Sequence, residues 1–182
     1  EVVPAIGCTE PIAVALCVAK ATETLGCRPE KIQALLSANI LKNAMGVGIP
    51  GTGMIGLPIA IALGALIGKS ENHLEVLKDS TPEAVEEGKK LIDSQIINIG
   101  LKYGIEEKLY IEIICEAGGN KATAIISGGH TNFVYVSFND EVLVNKQLTT
   151  SHETETEDVT LSLRKVYDFA VTTPIEELKF IL

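Results

Sequence analysis

The amino-acid sequence predicts an α+β fold, and three observations support this class. Helical patterns dominate the first 94 residues, short β-branched runs follow one another after Gln95, and helical patterns return near the C-terminus. A doubly wound α/β fold would alternate strands and helices throughout. We therefore expect apolar N-terminal helices packed on a mainly antiparallel sheet, followed by C-terminal helices, in a single α+β domain over residues 1–182.

The composition excludes several classes of protein. The chain has 182 residues, a formal net charge of −9 and 46% apolar residues, so it can bury a core and is not globally disordered. An acidic chain without a Lys/Arg cluster is a poor ligand for nucleic acid or anionic lipid. Its longest apolar run, Met54 to Ile67, has 14 residues, whereas a bilayer span needs about 20. No secretion signal begins the chain, and we expect a cytoplasmic protein without a membrane or nucleic-acid partner.

The first predicted element is a helix over residues 10–25. Thr9 can cap it, Glu10 suits the positive end of the helix dipole, and Pro11 is tolerated in the first turn. Residues 12–19 are apolar on every side. We therefore expect this helix to be buried on more than one face.

Four further features are expected before residue 95. The first two are a strand over 31–38 that leads into a polar stretch at 39–43, and a Gly/Pro-rich loop over 46–53. The other two are a buried apolar helix within 54–67 and a charged amphipathic helix over 82–94, capped by Thr81 or Ser80. The rest of the chain predicts a meander of strands over 109–116, 121–127, 132–138 and 142–146, a solvated loop over 149–158, and helices over 161–171 and 174–182.

Gly51 to Gly56 match the spacing G-x-G-x-x-G. A dinucleotide site would also require a preceding strand and a parallel α/β repeat, and the sequence predicts neither. A tight turn that brings the backbone close to a small anionic ligand is the better interpretation.

Cys8 is the cysteine with the strongest chemical signal. It lies just before the predicted first helix, where backbone amides and the helix dipole favour a thiolate. Such a thiolate could be a base, a nucleophile or an iron ligand, and the alternative is a small residue buried at the start of the helix. Cys17, Cys27 and Cys115 are expected to be structural.

Two other clusters suit an amino-acid ligand. Asn39, Lys42 and Asn43 could hold a carboxylate, although they equally suit a capping network. His130 and Thr131 follow two glycines between predicted strands, where the alternative is an exposed hairpin loop.

Four blocks of sequence resemble the L-cysteine desulfidase family, which is related to the iron–sulfur L-serine dehydratase alpha chain. In chain order they are EVVPAIGCTEPIAVA (1–15), NILKNAMGVGIPGTGMIGLPIA (39–60), LEVLKD (74–79) and SGGHTN (127–132). GCTEP and PGTGMIGLP are the most specific parts of the match.

The resemblance implies a β-elimination without pyridoxal phosphate, in which L-cysteine yields hydrogen sulfide, pyruvate and ammonia. A [4Fe–4S] cluster in the full-length enzyme would act on the leaving sulfur. Cys8 matches the GCTEP cysteine and is assigned as the catalytic proton acceptor, with cluster ligation second. The expected substrate-binding residues are Thr9, Glu10, Asn39, Lys42, Asn43, Gly51, Thr52, Gly53, His130 and Thr131.

The sequence departs from the family pattern in length. Members are more than twice as long, and their cluster cysteines lie mainly in a C-terminal helical part. Glu1 in place of Met and the apolar end at Leu182 also favour a fragment. We therefore expect the N-terminal part of a longer enzyme that neither holds the cluster nor turns over cysteine alone.

Its expected partners are L-cysteine or L-serine, the missing C-terminal helical part and, by default for such proteins, a second copy. The alternatives are an L-serine dehydratase and a non-catalytic module that binds an amino acid or serves assembly.

Overall fold

The computed structural model describes residues 4–146 and 162–181. They fall into two compact units, residues 4–146 and residues 162–181, and each unit is described by itself. The elements of the first unit are, in chain order, α1 (Thr9–Leu25), β1 (Lys31–Leu36), α2 (Ala38–Ala44), β2 (Gly48–Ile49), β3 (Met54–Ile55), α3 (Leu57–Leu66), a 3₁₀ helix (Ser70–Glu75), α4 (Pro82–Asp93), β4 (Ile97–Leu101), β5 (Tyr110–Ala117), β6 (Asn120–Ser127), β7 (Phe133–Phe138) and β8 (Glu141–Asn145).

The C-terminal unit contains α5 (Leu163–Thr172) and a 3₁₀ helix (Ile175–Ile181). Both agree with helices expected there, and the solvated loop expected over 149–158 lies outside the described residues. None of the helices within residues 4–146 and 162–181 has both the length and the apolar character of a membrane span.

The main sheet has the strand order β4-β1-β5-β6-β7-β8. β1 pairs with β4 in parallel and with β5 antiparallel, and every later pair is antiparallel. The α+β class and the meander β5–β8 are thus confirmed. β4 was not among the expected strands, because it pairs with β1 rather than with a sequence neighbour.

α1 packs along one face of the sheet. The Cys17 thiol donates to the Ala124 carbonyl oxygen at 3.3 Å, and five residues later the Thr22 hydroxyl lies 3.9 Å from the Cys115 sulfur. The Cys17 sulfur also lies 3.8 Å from the carbonyl oxygen of Ile111. α1 therefore runs in the same direction as β5, and its start projects past the Tyr110 end of the strand.

α1 is also covered by α3, which confirms the expected burial on more than one face. A Cβ on Gly64 of α3 would lie 2.6 Å from the carbonyl oxygen of Ala15. The two helix backbones therefore approach each other so closely that residue 64 must lack a side chain.

Three N-terminal features differ from those expected, and the first is β1, which ends at Leu36 rather than at residue 38. α1 begins at Thr9, with Cys8 as the extended N-cap residue (φ −70°, ψ 134°) and no side-chain cap. Thr9 is therefore not the cap. The expected polar stretch after β1 is the short helix α2, capped by Ser37, whose hydroxyl accepts a hydrogen bond from the Ile40 amide at 3.3 Å.

The Gly/Pro-rich loop contains the two-residue strand β2, paired with β3, where no strand was expected. The other expected helices are confirmed: α3 lies within 54–67, and α4 is capped by Thr81, whose hydroxyl accepts a hydrogen bond from the Ala84 amide.

Candidate functional site

The backbone before α1 is fixed against the β2–β3 loop. Gly7 has φ +85°, and a Cβ at this position would lie 2.8 Å from Cγ of Pro50. Residue 7 must therefore be a glycine for two reasons: its backbone is left-handed, and a side chain would collide with the proline ring. This contact brings Cys8 next to the loop that carries Gly51, Thr52 and Gly53.

A carboxylate lies at the centre of the site. The Cys8 thiol donates to Oε2 of Glu10 at 3.0 Å, and the Thr9 hydroxyl donates to the same oxygen at 3.3 Å. The Asn43 side-chain amide, on α2, donates to Oε1 of Glu10 at 3.4 Å. Four of the expected site residues therefore meet, and Glu10 contacts each of the other three.

The hydrogen bond to Glu10 is the largest influence on the pKa of the Cys8 thiol. It raises the pKa of the thiol, and burial raises it further. The same bond is the largest cause that lowers the pKa of the Glu10 carboxyl, and Asn43 and Thr9 add to it. The expectation that the start of the helix would draw the Cys8 pKa toward neutrality is wrong, because the carboxylate accepts the thiol proton in a hydrogen bond and disfavours a second negative charge.

α2 carries the next group of expected residues and is held at the end of β1. The Ser37 hydroxyl donates to the Lys108 carbonyl oxygen at 2.7 Å. Asn43 reaches Glu10, whereas Asn39 lines a separate cavity of about 340 Å³ together with Lys102 and Lys108. Lys42 is exposed on the same helix. The structure thus brings Asn43 to the Cys8 site and places Asn39 at a neighbouring cavity.

The β2–β3 loop is built around the Thr52 side chain. Its hydroxyl donates to the Ile49 carbonyl oxygen at 2.7 Å and accepts a hydrogen bond from the Met54 amide at 3.0 Å. Gly51 and Gly53 flank it with exposed backbone. The Thr52 hydroxyl therefore stabilises the turn, while its role in binding a substrate stays a prediction.

His130 and Thr131 lie in the connection between β6 and β7. Ser127, the last residue of β6, is opposite Tyr110 in the register, so this connection follows at the Tyr110 end of the sheet. The start of α1 projects past the same end. Within the described residues, however, no hydrogen bond joins His130 or Thr131 to the Cys8 cluster, and their part in a shared site stays a prediction.

A second, partly buried polar cluster on the sheet was not expected. Glu112, whose side chain is 12% exposed, accepts a hydrogen bond from the Tyr110 hydroxyl at 2.8 Å. It also forms an ion pair with Lys102 at 2.6 Å. Burial, and then Glu112, raises the pKa of Tyr110. The sequence could have placed Tyr110 and Glu112 on the same sheet face, because they are two residues apart in a predicted strand. It could not have placed Lys102 beside them, because Lys102 follows the unexpected strand β4.

The described cysteines do not fit a [4Fe–4S] cluster. Cys17 and Cys115 are buried in the core, and Cys27 is exposed beyond the opposite end of α1 from Cys8. No three metal-ligating side chains converge anywhere in residues 4–146 or 162–181. A cluster on this chain would have a single candidate ligand in the Cys8 region.

The chain is similar to several bacterial proteins named UPF0597. It is 78% identical to one from Phocaeicola vulgatus, 68% identical to one from Bacteroides thetaiotaomicron and 43% identical to one from Chromobacterium violaceum. No family model matches the chain, and no solved structure matches it. Each of these alignments covers the whole of this chain but only 42% of the relative, so the chain spans less than half the length of the proteins it resembles.

Proposed function

We propose that this chain is the substrate-facing portion of a longer lyase that performs β-elimination on L-cysteine, without pyridoxal phosphate, in the cytoplasm. The observation that carries the proposal is the Cys8–Glu10 pair at the start of α1, within the GCTEP block that resembles the L-cysteine desulfidases. A β-elimination needs one group that accepts the α-proton, and Cys8 is the side chain assigned to that step.

The proton and electron movements of the proposed step are simple. The Cys8 thiolate accepts the α-proton of the substrate, the electrons of the broken C–H bond form a Cα–Cβ double bond, and the substrate sulfur leaves with the electrons of the C–S bond. The aminoacrylate product then hydrolyses to pyruvate and ammonia. In this proposal Lys42, Asn43 and His130 hold the amino acid, whereas Asn39, which was also expected to do so, lines the neighbouring cavity.

The proposal assigns no cluster ligand to this chain. The resemblance implies a [4Fe–4S] cluster in the full-length enzyme, but the cysteines in the described residues do not fit one. The proposed contribution of this chain is therefore limited to binding the amino acid and handling its α-proton.

The test is a Cys8→Ala variant of the full-length protein. We expect the variant to release no sulfide from L-cysteine and to keep the visible absorption of any bound cluster. Cys27→Ala, which removes an exposed thiol beyond the other end of α1, is the matched control and should retain activity. Undiminished sulfide release by Cys8→Ala would refute the proposal, and loss of the absorption would make Cys8 a ligand instead of a base.

The same assay separates the lyase from a dehydratase. Pyruvate formation from L-cysteine and from L-serine is measured side by side, and the proposal expects L-cysteine to be the better substrate. Faster turnover of L-serine would assign the same residues to elimination of hydroxide.

A further inference from the structure

α5 carries an apolar stripe along one side. Leu163, Val166, Tyr167 and Ala170 have the spacing i, i+3, i+4 and i+7, so they lie on one face of the helix. All four residues are exposed, with exposed fractions of 91% for Leu163, 51% for Val166 and 62% for Tyr167. A contiguous apolar face of this kind is typical of a surface that packs against something else.

The opposite side of α5 is polar and its groups are paired. Nε of Arg164 forms an ion pair with Oδ2 of Asp168 at 2.9 Å, and the Thr172 hydroxyl donates to the Asp168 carbonyl oxygen at 2.6 Å. The Ser162 hydroxyl caps the helix by accepting a hydrogen bond from the Lys165 amide at 3.2 Å. α5 is therefore amphipathic, with one side suited to water and the other to burial.

The C-terminal unit does not bury this stripe by itself. None of its described residues, 162–181, is buried, and the 3₁₀ helix after α5 adds a further exposed apolar residue, Ile175, at 69%. An isolated helix shorter than about 12–15 residues is only marginally stable in water, and α5 has 10 residues. A helix of this length needs a surface to pack against.

The length of the relatives indicates which surface this is. The matched region is only 42% of each relative, so more than half of the full-length polypeptide lies outside it. A segment of the same polypeptide docks without the loss of translational freedom that a separate partner pays. A second copy fits less well, because a stable dimer buries about 20–30 residues a side, whereas the stripe offers four.

We propose that the apolar stripe of α5 docks in an apolar groove formed by the part of the full-length protein that lies outside these 182 residues. Val166 and Tyr167, in the middle of the stripe, are the anchors of this contact. Charged side chains are excluded from the groove, since α5 presents no partner for them on this face. The inference concerns packing alone and is independent of the proposed lyase activity.

Hydrogen exchange in the full-length protein tests whether α5 is docked. Mass spectrometry follows the amides of residues 166–172, and we expect them to exchange at least about a hundredfold more slowly than in an unstructured peptide. A helix of this length that faces only water would exchange nearly as fast as such a peptide.

Val166→Ala and Tyr167→Ala distinguish packing from helix propensity. Alanine is the better helix former, so both substitutions would keep or raise the protection of a solvent-facing helix. On a docked helix they remove buried surface, and we expect about tenfold faster exchange in each variant. Arg164→Ala is the matched control on the polar side of the same helix. It removes only an exposed ion pair and should keep the protection of the wild type.

Photo-crosslinking identifies the surface that α5 contacts. Tyr167 is replaced by the photoreactive amino acid p-benzoylphenylalanine in the full-length protein, and ¹⁴N- and ¹⁵N-labelled protein are mixed before irradiation. We expect crosslinks from residue 167 to sequence outside these 182 residues, within one isotope label. The same replacement of Arg164 should crosslink far less, and Leu163 takes the photoreactive group if position 167 does not accept it.

Each other result would overturn the inference. Unprotected amides in the wild type, or unchanged protection in both alanine variants, would show that α5 is not docked. Crosslinks to residues 4–146 would assign the stripe to the first unit, and crosslinks between the two isotope labels would assign it to a second copy. Absence of any crosslink from the stripe would leave it facing solvent. Exchange and crosslinking in otherwise wild-type protein decide the question even if Tyr167→Ala does not fold.

Discussion

Gly7 determines where the thiol of Cys8 can lie. Its left-handed backbone and its contact with Pro50 place the first residues of α1 against the β2–β3 loop. Gly51 has a similar positive φ (77°) but open space where a Cβ would be. The two positions therefore differ in packing while sharing the same backbone requirement.

We expect Gly7→Ala to destabilise the protein by about 2–4 kcal/mol and Gly51→Ala by about 1 kcal/mol, because only the first adds a collision to the backbone strain. Urea unfolding of both variants measures the difference. Gly7→Ala should also change the alkylation rate of Cys8. Equal losses of stability in the two variants would show that the Pro50 contact is unimportant.

Glu10 should also affect stability in acid. Its pKa is lowered in the folded state, so its contribution is present above the pKa of the unfolded chain, about 4.3, and is lost as the pH falls through the folded value. Glu10→Gln should therefore lose less stability than the wild type between about pH 5 and about pH 3. Urea midpoints across this range test the prediction, and parallel curves for the two proteins would contradict it.

At the scale of elements, the close approach of α1 and α3 depends on Gly64. A Cβ there would meet the backbone oxygen of Ala15 at 2.6 Å, whereas a Cβ on Gly88 of α4 would meet the flexible end of the Ile59 side chain at 3.0 Å. Backbone cannot move aside as a side-chain methyl can, so the two glycines differ in tolerance.

Gly64→Ala should cost about 2–3 kcal/mol of stability, with α1 and α3 forced apart. Gly88→Ala should cost less than about 1 kcal/mol, because the gain in helix propensity offsets the small repacking of Ile59. Thermal unfolding of the two variants provides the comparison. A larger loss in Gly88→Ala would reverse the assignment of which contact is rigid.

The sequence predicts best those elements whose signals are local. α4 was expected over 82–94 with Thr81 or Ser80 as its cap, and α1 with its burial, because capping and periodicity act within one helix. β4 could not be predicted in this way, since its residues INIGL become a strand through pairing with β1, about 65 residues earlier in the chain.

The same distinction applies to the candidate site. Cys8 and Glu10 are two residues apart, and their motif indicated a reactive position from sequence alone. The contact of Glu10 with Asn43 joins residues 33 positions apart, and only the packing of α2 beside α1 creates it. The direction of the Cys8 pKa was missed for the same reason: the helix dipole is a general property, whereas the rotamer that brings Glu10 to the thiol is specific to this fold.

At the scale of the molecule, the two core cysteines make the first unit sensitive to alkali. Burial raises the pKa of Cys17 well above its ordinary value and raises that of Cys115 to about 12. A group whose pKa is raised in the folded state contributes stability below its unfolded pKa, about 8.5, and that contribution is lost as the pH rises toward the folded value.

We expect stability to fall above about pH 8.5, by up to about 1.4 kcal/mol per pH unit for each buried thiol. Cys115→Ala should show a shallower slope than the wild type between about pH 8.5 and about pH 10.5, whatever its stability at neutral pH. Cys27→Ser, in which an exposed thiol is replaced, is the control and should keep the slope of the wild type. An unchanged slope in Cys115→Ala would mean that its thiol ionises as readily in the folded state as in the unfolded chain.

The position of β1 has a consequence for how the polypeptide matures on the ribosome. Both of its neighbours, β4 and β5, are synthesised after it, and three α-helices and a 3₁₀ helix separate it from β4. The meander β5–β8, in contrast, consists of consecutive strands that pair soon after they emerge. α1 and β1 leave the ribosome before β5 and β6 and lack their sheet until those strands have been made, so their apolar surfaces stay exposed for that interval.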